Sequence, residues 1–311
     1  MKTAFLFSGQ GAQYTGMGKE LYTSEKIVVE TFDQASEVLG YDMAALCFDE
    51  ANKEKLNQTE YTQPAILTVS VAFWRLLSAK GLVADAVCGL SLGEYSALVA
   101  SGAIDFETAV ALVAKRGYFM ANAAPAGSGK MVAVMNTSSE LIEQCCQKAS
   151  AVGIVAPANY NTPQQIVIGG EVAAVDKACE LLTEAGAKRL IPLNVSGPFH
   201  TALLETAAEK LGEELAKIDF STPIIPVISN TTANIMPQNE IKSLLEQQVM
   251  SPVHFYESIA TLKELEITQM VEIGPGKVLS GFIKKIDKTI ATTRVEDSKT
   301  LNETIAFLAN K

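Results

Sequence analysis

The chain has 311 residues, 48% of them hydrophobic, and carries a formal charge of −10. That is enough apolar material for a large core and more length than one average domain, so a main body carrying a smaller one is expected. The acidic balance argues against nucleic acid as a general partner, and without a polybasic segment a membrane surface is disfavoured too.

Residues 3–7 read as a short buried strand that delivers the loop Ser8-Gly9-Gln10-Gly11-Ala12-Gln13. Glycine on both sides of Gln10 lets the backbone approach a ligand or another loop, although an ordinary turn would look the same. Val28, Phe32, Ala35 and Leu39 recur at helical spacing, with Gly40 as the stop. Thr62 is expected to cap a helix with Pro64 in its first turn, and residues 65–77 are apolar nearly all round, which makes that helix interior. Gly81 ends it. Residues 82–88, apolar but for Asp85, then run into Gly89-Leu90-Ser91-Leu92-Gly93 and a helix-compatible stretch to Ala100.

Gly-x-Ser-x-Gly between strand and helix is the pattern in which a serine is thrust out of a tight turn. The serine backbone is strained there, and a side chain in place of either glycine would collide across the turn. The same letters fit a plain turn whose serine caps the helix; the strand before and the helix after favour a nucleophile. The following helix points its free N–H groups at charge developing beside the hydroxyl.

A helix over 105–122 carries Lys115-Arg116, which in isolation reads as a solvated pair. Ala124-Pro125-Ala126-Gly127-Ser128-Gly129 is the clearest punctuation in the chain and marks a domain boundary. Beyond it come a strand over 131–135, a helix opened by the capping box Thr137-Ser138-Ser139-Glu140, strands over 154–158 and 165–168, a helix closed by Gly186, and a strand over 189–193. Strand-helix-strand-strand-helix-strand predicts a ferredoxin-like (βαββαβ) unit, with Pro157 and Pro192 in its two edge strands. The expected organisation is an α/β catalytic body over 1–126 and 197–311, interrupted by this subdomain at 127–196. Ser196-Gly197-Pro198-Phe199-His200 then opens a helix through Ile218. That puts His200 at or before a helix N-terminus, where the imidazolium is disfavoured. A strand over 224–228, helices over 241–248 and from Ser251-Pro252, a strand over 270–273 and a helix after Gly274-Pro275-Gly276 complete the alternation.

A serine needs a base, and the chain has only two histidines. His254 falls in the first turn after Ser251-Pro252 and is expected to be exposed, so His200 takes the role. No aspartate suits the order Ser…Asp…His: Asp105 and Asp176 read as helix-start and helix-face residues, which leaves a backbone carbonyl to orient the histidine. The cysteines Cys47, Cys88, Cys145, Cys146 and Cys179 show no C-x-x-C and no metal spacing, so reduced thiols and no metal are expected. Only four apolar residues follow Met1-Lys2-Thr3, too few for a secretory core, and the longest apolar helix contains Arg75. A cytoplasmic monomer with no membrane span is expected.

Phe7-Ser8-Gly9-Gln10-Gly11-Ala12-Gln13, Gly89-Leu90-Ser91-Leu92-Gly93-Glu94-Tyr95-Ser96-Ala97, Lys115-Arg116-Gly117, Pro198-Phe199-His200 and Glu272-Ile273-Gly274-Pro275-Gly276-Lys277 occur in this order. In that order, over essentially the whole chain, the sequence resembles the malonyl-CoA:acyl carrier protein transacylases. The resemblance implies an α/β-hydrolase-like core with a mostly parallel sheet. It implies that Ser91 is acylated, with His200 as base, the backbone N–H groups of Gln10 and Leu92 as oxyanion hole, Arg116 on the malonyl carboxylate, and the Gln248 carbonyl orienting the histidine. Leu90 departs from the histidine many members carry there, while Phe199 resembles the malonyl-selective pattern. The implied reaction is ping-pong from coenzyme A to a carrier's phosphopantetheine thiol, without metal or redox cofactor. An acidic carrier would need a local basic rim, for which Lys188, Arg189, Lys277, Lys284 and Lys285 are candidates. A serine thioesterase of the same fold, a trans-acting polyketide acyltransferase and a non-catalytic carrier-binding module are the competing readings.

Overall fold

The computed structural model describes residues 1–125, 127–194 and 197–309. The expected domain junctions at 126/127 and 196/197 fall on Ala126 and on Val195-Ser196, outside the described residues. Ten strands among the described residues form two five-stranded sheets: β1 (Lys2–Phe7), β2 (Ala86–Gly89), β3 (Gly129–Met135), β4 (Val155–Thr162), β5 (Gln165–Glu171), β6 (Arg189–Pro192), β7 (Val227–Ile228), β8 (Val253–His254), β9 (Ile267–Ile273) and β10 (Ala291–Val295).

The first sheet runs β10-β9-β1-β2-β7, and every pairing in it is parallel. Parallel strands covered on both faces have no solvent side to keep polar. β1 accordingly sends Phe5 and Phe7 into one core cluster and Ala4 and Leu6 into another on the opposite face. Phe7 is aligned with Gly89 on β2 and with Ile273 on β9, so three strands end at one level. The loops that follow them emerge side by side, the usual place for a site in such sheets. They are tied together where they leave: Leu90 N–H donates to the Phe7 carbonyl (3.1 Å) and the Ser8 hydroxyl to the Pro275 carbonyl (3.1 Å).

The helix Thr59–Ala79 is buried along most of its length, as its apolar sequence requires, but it starts before Thr62. Thr62 is inside the helix and donates its hydroxyl to the carbonyls of Leu56 and Gln58 instead of capping. β7 is shorter than the run 224–228 suggests: Pro226 has no N–H to give to a ladder, and the N–H of Ile224 donates to the Ser101 carbonyl instead.

The second sheet runs β6-β3-β5-β4-β8. Its first four strands are antiparallel neighbours in the ferredoxin-like order, backed by the helices Ser139–Ala149 and Val172–Glu184. The cap of the first of these helices is Ser138, not Thr137: its side chain accepts from Leu141 N–H. β4 is not an edge strand, because β8 pairs with it in parallel through Asn159↔Val253 and Tyr160↔His254. Pro157 is still tolerated, since it lies beyond that short pairing and beside a register shift. One face of this sheet has its own core around Val132, Ile142, Ile168 and Leu182, while Met131, Ala133 and Val167 join the main core.

Candidate active site

Ser91 sits between β2 and the helix Gly93–Ala100 with φ 52°, a left-handed conformation uncommon for a residue with a side chain. The turn closes only around two glycines. A Cβ on Gly89 would lie 1.9 Å from the Gly93 carbonyl carbon, and one on Gly93 would lie 2.1 Å from the Phe7 carbonyl oxygen. Asn230, just beyond β7, fixes the bend from outside. Its Oδ1 accepts from Ser91 N–H at 2.6 Å and its Nδ2 donates to the Gly89 carbonyl at 2.7 Å.

His200 is buried, with φ 60°, and its Nε2 lies 2.8 Å from Ser91 Oγ. It does not open a helix. A 3₁₀ turn, Ala202–Leu204, intervenes before the helix Glu205–Ala216. Its Nδ1 lies 2.7 Å from the Gln248 carbonyl oxygen. A carbonyl only accepts, so Nδ1 carries the ring proton and Nε2 presents a lone pair to the serine. Burial, helped by the Arg116 cation, lowers the imidazole from its ordinary 6.5 to about 4, against the opposing pull of the Gln248 and Ser251 main chain. The ring is neutral near pH 7 for reasons other than a helix terminus. Among the described residues no carboxylate orients it: Asp105 caps the helix Phe106–Ala121 and Asp176 pairs with Lys130.

Arg116 is buried, not solvated, with 1% exposure. Its Nη2 donates to Ser91 Oγ at 3.1 Å and to Gln248 Oε1 at 2.8 Å, and its Nη1 donates to Gln63 Oε1 at 2.7 Å. Ser91 Oγ therefore accepts from a guanidinium and gives its own proton toward His200, the polarity a nucleophilic attack needs. Behind them Glu94 is also buried, which lifts its carboxyl to about 7 despite the donors Gln248 and Asn230 and the nearby Arg116 charge. Ser91, His200, Gln10 and Gln63 line one cavity of about 690 Å³, with Leu90, Phe199, Met120 and Phe282 among its apolar walls.

The remaining expected residues fall as follows. The Gln10 side chain donates to Thr59 Oγ1 and accepts from Gln63. Leu92 is buried at the start of the helix Gly93–Ala100. Among the described residues neither main-chain N–H of Gln10 nor of Leu92 donates to a protein acceptor. His254 is half-buried rather than exposed, and its ring is engaged away from the serine hydroxyl: it stacks on Tyr160 at 5.0 Å and pairs with Glu257. Lys188, Arg189, Lys277, Lys284 and Lys285 are exposed, and none pairs with a carboxylate among the described residues. Lys277 adjoins Val278 at the cavity wall, whereas Lys284 lines a separate surface groove with Arg294 and Lys299. Among the described residues no helix is long and apolar enough to cross a membrane, and no group of three His, Cys, Asp or Glu converges as a metal site.

Sequence reasoning missed Gln63, Asn230 and the side chains of Glu94 and Gln248. The one local signal was a glutamine inside an otherwise apolar helix.

Residues 4–301 match the acyl transferase domain family. The chain is 47% identical over 309 residues to the malonyl CoA-acyl carrier protein transacylase of Bacillus subtilis, covering 99% of this chain and 97% of that one. It superposes on the crystal structure of an MCAT from Streptococcus pneumoniae with a TM-score of 0.95 and 62% identity, covering all of both chains. A type II PKS acyl-carrier protein in complex with its malonyl-transacylase is matched at a TM-score of 0.95 and 41% identity, again over both full chains.

Proposed function

Because the chain belongs to the malonyl CoA-acyl carrier protein transacylases, we propose that the cavity around Ser91 is where malonyl is taken from coenzyme A and passed to a carrier thiol. The protein is an acyltransferase. The observation that carries the assignment of roles is the meeting of Ser91 Oγ with both His200 Nε2 (2.8 Å) and Arg116 Nη2 (3.1 Å).

In the first half-reaction His200 Nε2 takes the Ser91 proton as Oγ attacks the thioester carbonyl. The main-chain N–H groups of Gln10 and Leu92 receive the oxyanion; a pair of fixed donors contributes a few kcal/mol there. The tetrahedral intermediate collapses, the C–S bond breaks, and His200 returns its proton to the departing coenzyme A sulfur. The malonyl-serine ester is then attacked by the phosphopantetheine thiol, with His200 again removing and returning one proton. Arg116 binds the free carboxylate as a fork, which a lysine could not match, and so favours malonyl over acetyl. Acyl exchange between oxygen and sulfur involves no change of oxidation state, so no metal or redox cofactor enters this scheme.

The enzyme works as a cytoplasmic monomer supplying fatty acid chain elongation. The acidic carrier docks on cations at the cavity mouth, among which Lys277 has the best position and Lys188, Arg189, Lys284 and Lys285 form the outer candidates. The competing reading, a serine thioesterase, uses water as acceptor. Mixing the enzyme with malonyl-CoA, with and without holo acyl carrier protein, separates the two. Fast coenzyme A release with malonyl on the carrier supports the transferase; fast release of free malonate whether or not carrier is present supports the hydrolase.

A further inference from the structure

Glu94 is the second residue of the helix Gly93–Ala100, 1% exposed, and has no part in the transfer steps above. A carboxylate so buried must find donors. One of its oxygens accepts from Nε2 of Gln248 and the other from the main-chain N–H of Asn230 at 3.3 Å. Those two residues hold the serine turn from both sides. Asn230 accepts from Ser91 N–H, and Gln248 Nε2 donates to the Ser91 carbonyl at 3.0 Å. Gln248 also fixes His200 through its own carbonyl and receives Arg116 Nη2 on Oε1.

An amide side chain has a donor end and an acceptor end of nearly the same shape, and its neighbours decide which way it faces. The Ser91 carbonyl and the ionised Glu94 carboxylate both only accept, so together they take the NH₂ end of Gln248 and turn its oxygen to the guanidinium. The geometry points to Glu94 as a positioning residue for acyl selection: by holding the Gln248 amide in this sense, it keeps the Arg116 fork aimed at Ser91 Oγ, where the malonyl carboxylate is received. This assignment rests on the reading of Arg116 as the carboxylate clamp. A purely structural carboxylate would stabilise the turn without any bearing on which acyl group is chosen.

The test is Glu94→Gln, which keeps the shape but sets a donor against either Asn230 N–H or the Gln248 NH₂. Transfer to holo carrier from malonyl-CoA and from acetyl-CoA is measured for the parent, Glu94→Gln and Arg116→Ala, with melting temperatures alongside. The expected result is a drop of about tenfold or more in malonyl kcat/KM, carried mainly by KM, with acetyl transfer changed by less than about threefold. Equal losses for both thioesters, or an unchanged malonyl preference, overturn the assignment. Should Glu94→Gln fail to fold, Glu94→Asp, which withdraws the carboxylate by one methylene, is read by the same ratio: a reduced preference supports the assignment and a parental one overturns it. Arg116→Ala that keeps the malonyl preference overturns the clamp and this assignment together. Loss of preference in Arg116→Ala but not in Glu94→Gln overturns this assignment alone.

Discussion

If Arg116 is the carboxylate clamp proposed above, removing its side chain should separate acyl selection from acyl transfer. In the free enzyme its two Nη atoms are held by Gln63 Oε1, Gln248 Oε1 and Ser91 Oγ, at 2.7, 2.8 and 3.1 Å. On the proposed reading a malonyl carboxylate arriving at Ser91 would meet this guanidinium, and each charge-assisted hydrogen bond it gained would be worth about 1.5–3 kcal/mol. Two such bonds come to about 3–6 kcal/mol of transition-state stabilisation. At about 1.4 kcal/mol per tenfold, Arg116→Ala should lower malonyl kcat/KM by roughly 100- to 10,000-fold. Acetyl-CoA offers no carboxylate, so its transfer should be retained or should rise. The vacated volume can admit water to the two glutamine oxygens, which limits the damage to the fold. Initial rates of coenzyme A release from each thioester, at saturating carrier, give both numbers. Loss of malonyl and acetyl transfer by the same factor, in a variant that melts like the parent, would refute the selection argument.

The low basicity of His200 predicts a particular pH profile. Only the neutral ring can take the serine proton, so acylation should hold level through pH 6 and fall only as the pH approaches about 4. Arg116→Ala should move that acid limb upward, because the cation is one cause of the lowering. Stability follows the same sign. The unfolded chain takes up a proton near 6.5 and the folded chain only near about 4, so this contribution is complete above 6.5 and is lost as the pH falls between the two values. The loss amounts to about 3 kcal/mol at 1.36 kcal/mol per pH unit, and urea titrations of parent and His200→Gln should differ in slope over that interval. Gly93→Ala is expected to lower stability by about 3 kcal/mol or more and to abolish acylation, since its Cβ would meet the Phe7 carbonyl at 2.1 Å. A melting curve and rate matching the parent would mean that the turn is softer than its packing implies.

The serine turn was legible because its steric demands are local: the residues that must be small are the immediate neighbours of the one that must protrude. The loop around Gln10 was less legible, because its glycines fit an ordinary turn equally well and only the family resemblance gave Gln10 a role. What escaped sequence reading is held together only by tertiary placement. Glu94 and Asn230 come from a helix start and the end of a two-residue strand, where nothing local marks them as partners, and Gln63 is marked only as a buried glutamine in a largely apolar helix. β8 has two residues and no periodicity, so β4 looked like an edge. Pro64 suggested a first turn, yet the helix Thr59–Ala79 begins further upstream. His200 was expected to be neutral because of a helix terminus; it is neutral because it is buried beside a cation.

Intact-protein mass spectrometry after brief exposure to malonyl-CoA, without carrier, tests the account at its centre. A gain of about 86 Da on the parent, mapped to the peptide containing Ser91 and discharged by holo carrier, is the predicted result, with no gain on Ser91→Ala. A malonyl adduct that persists in Ser91→Ala, or turnover to carrier with no adduct ever forming on the parent, would contradict it.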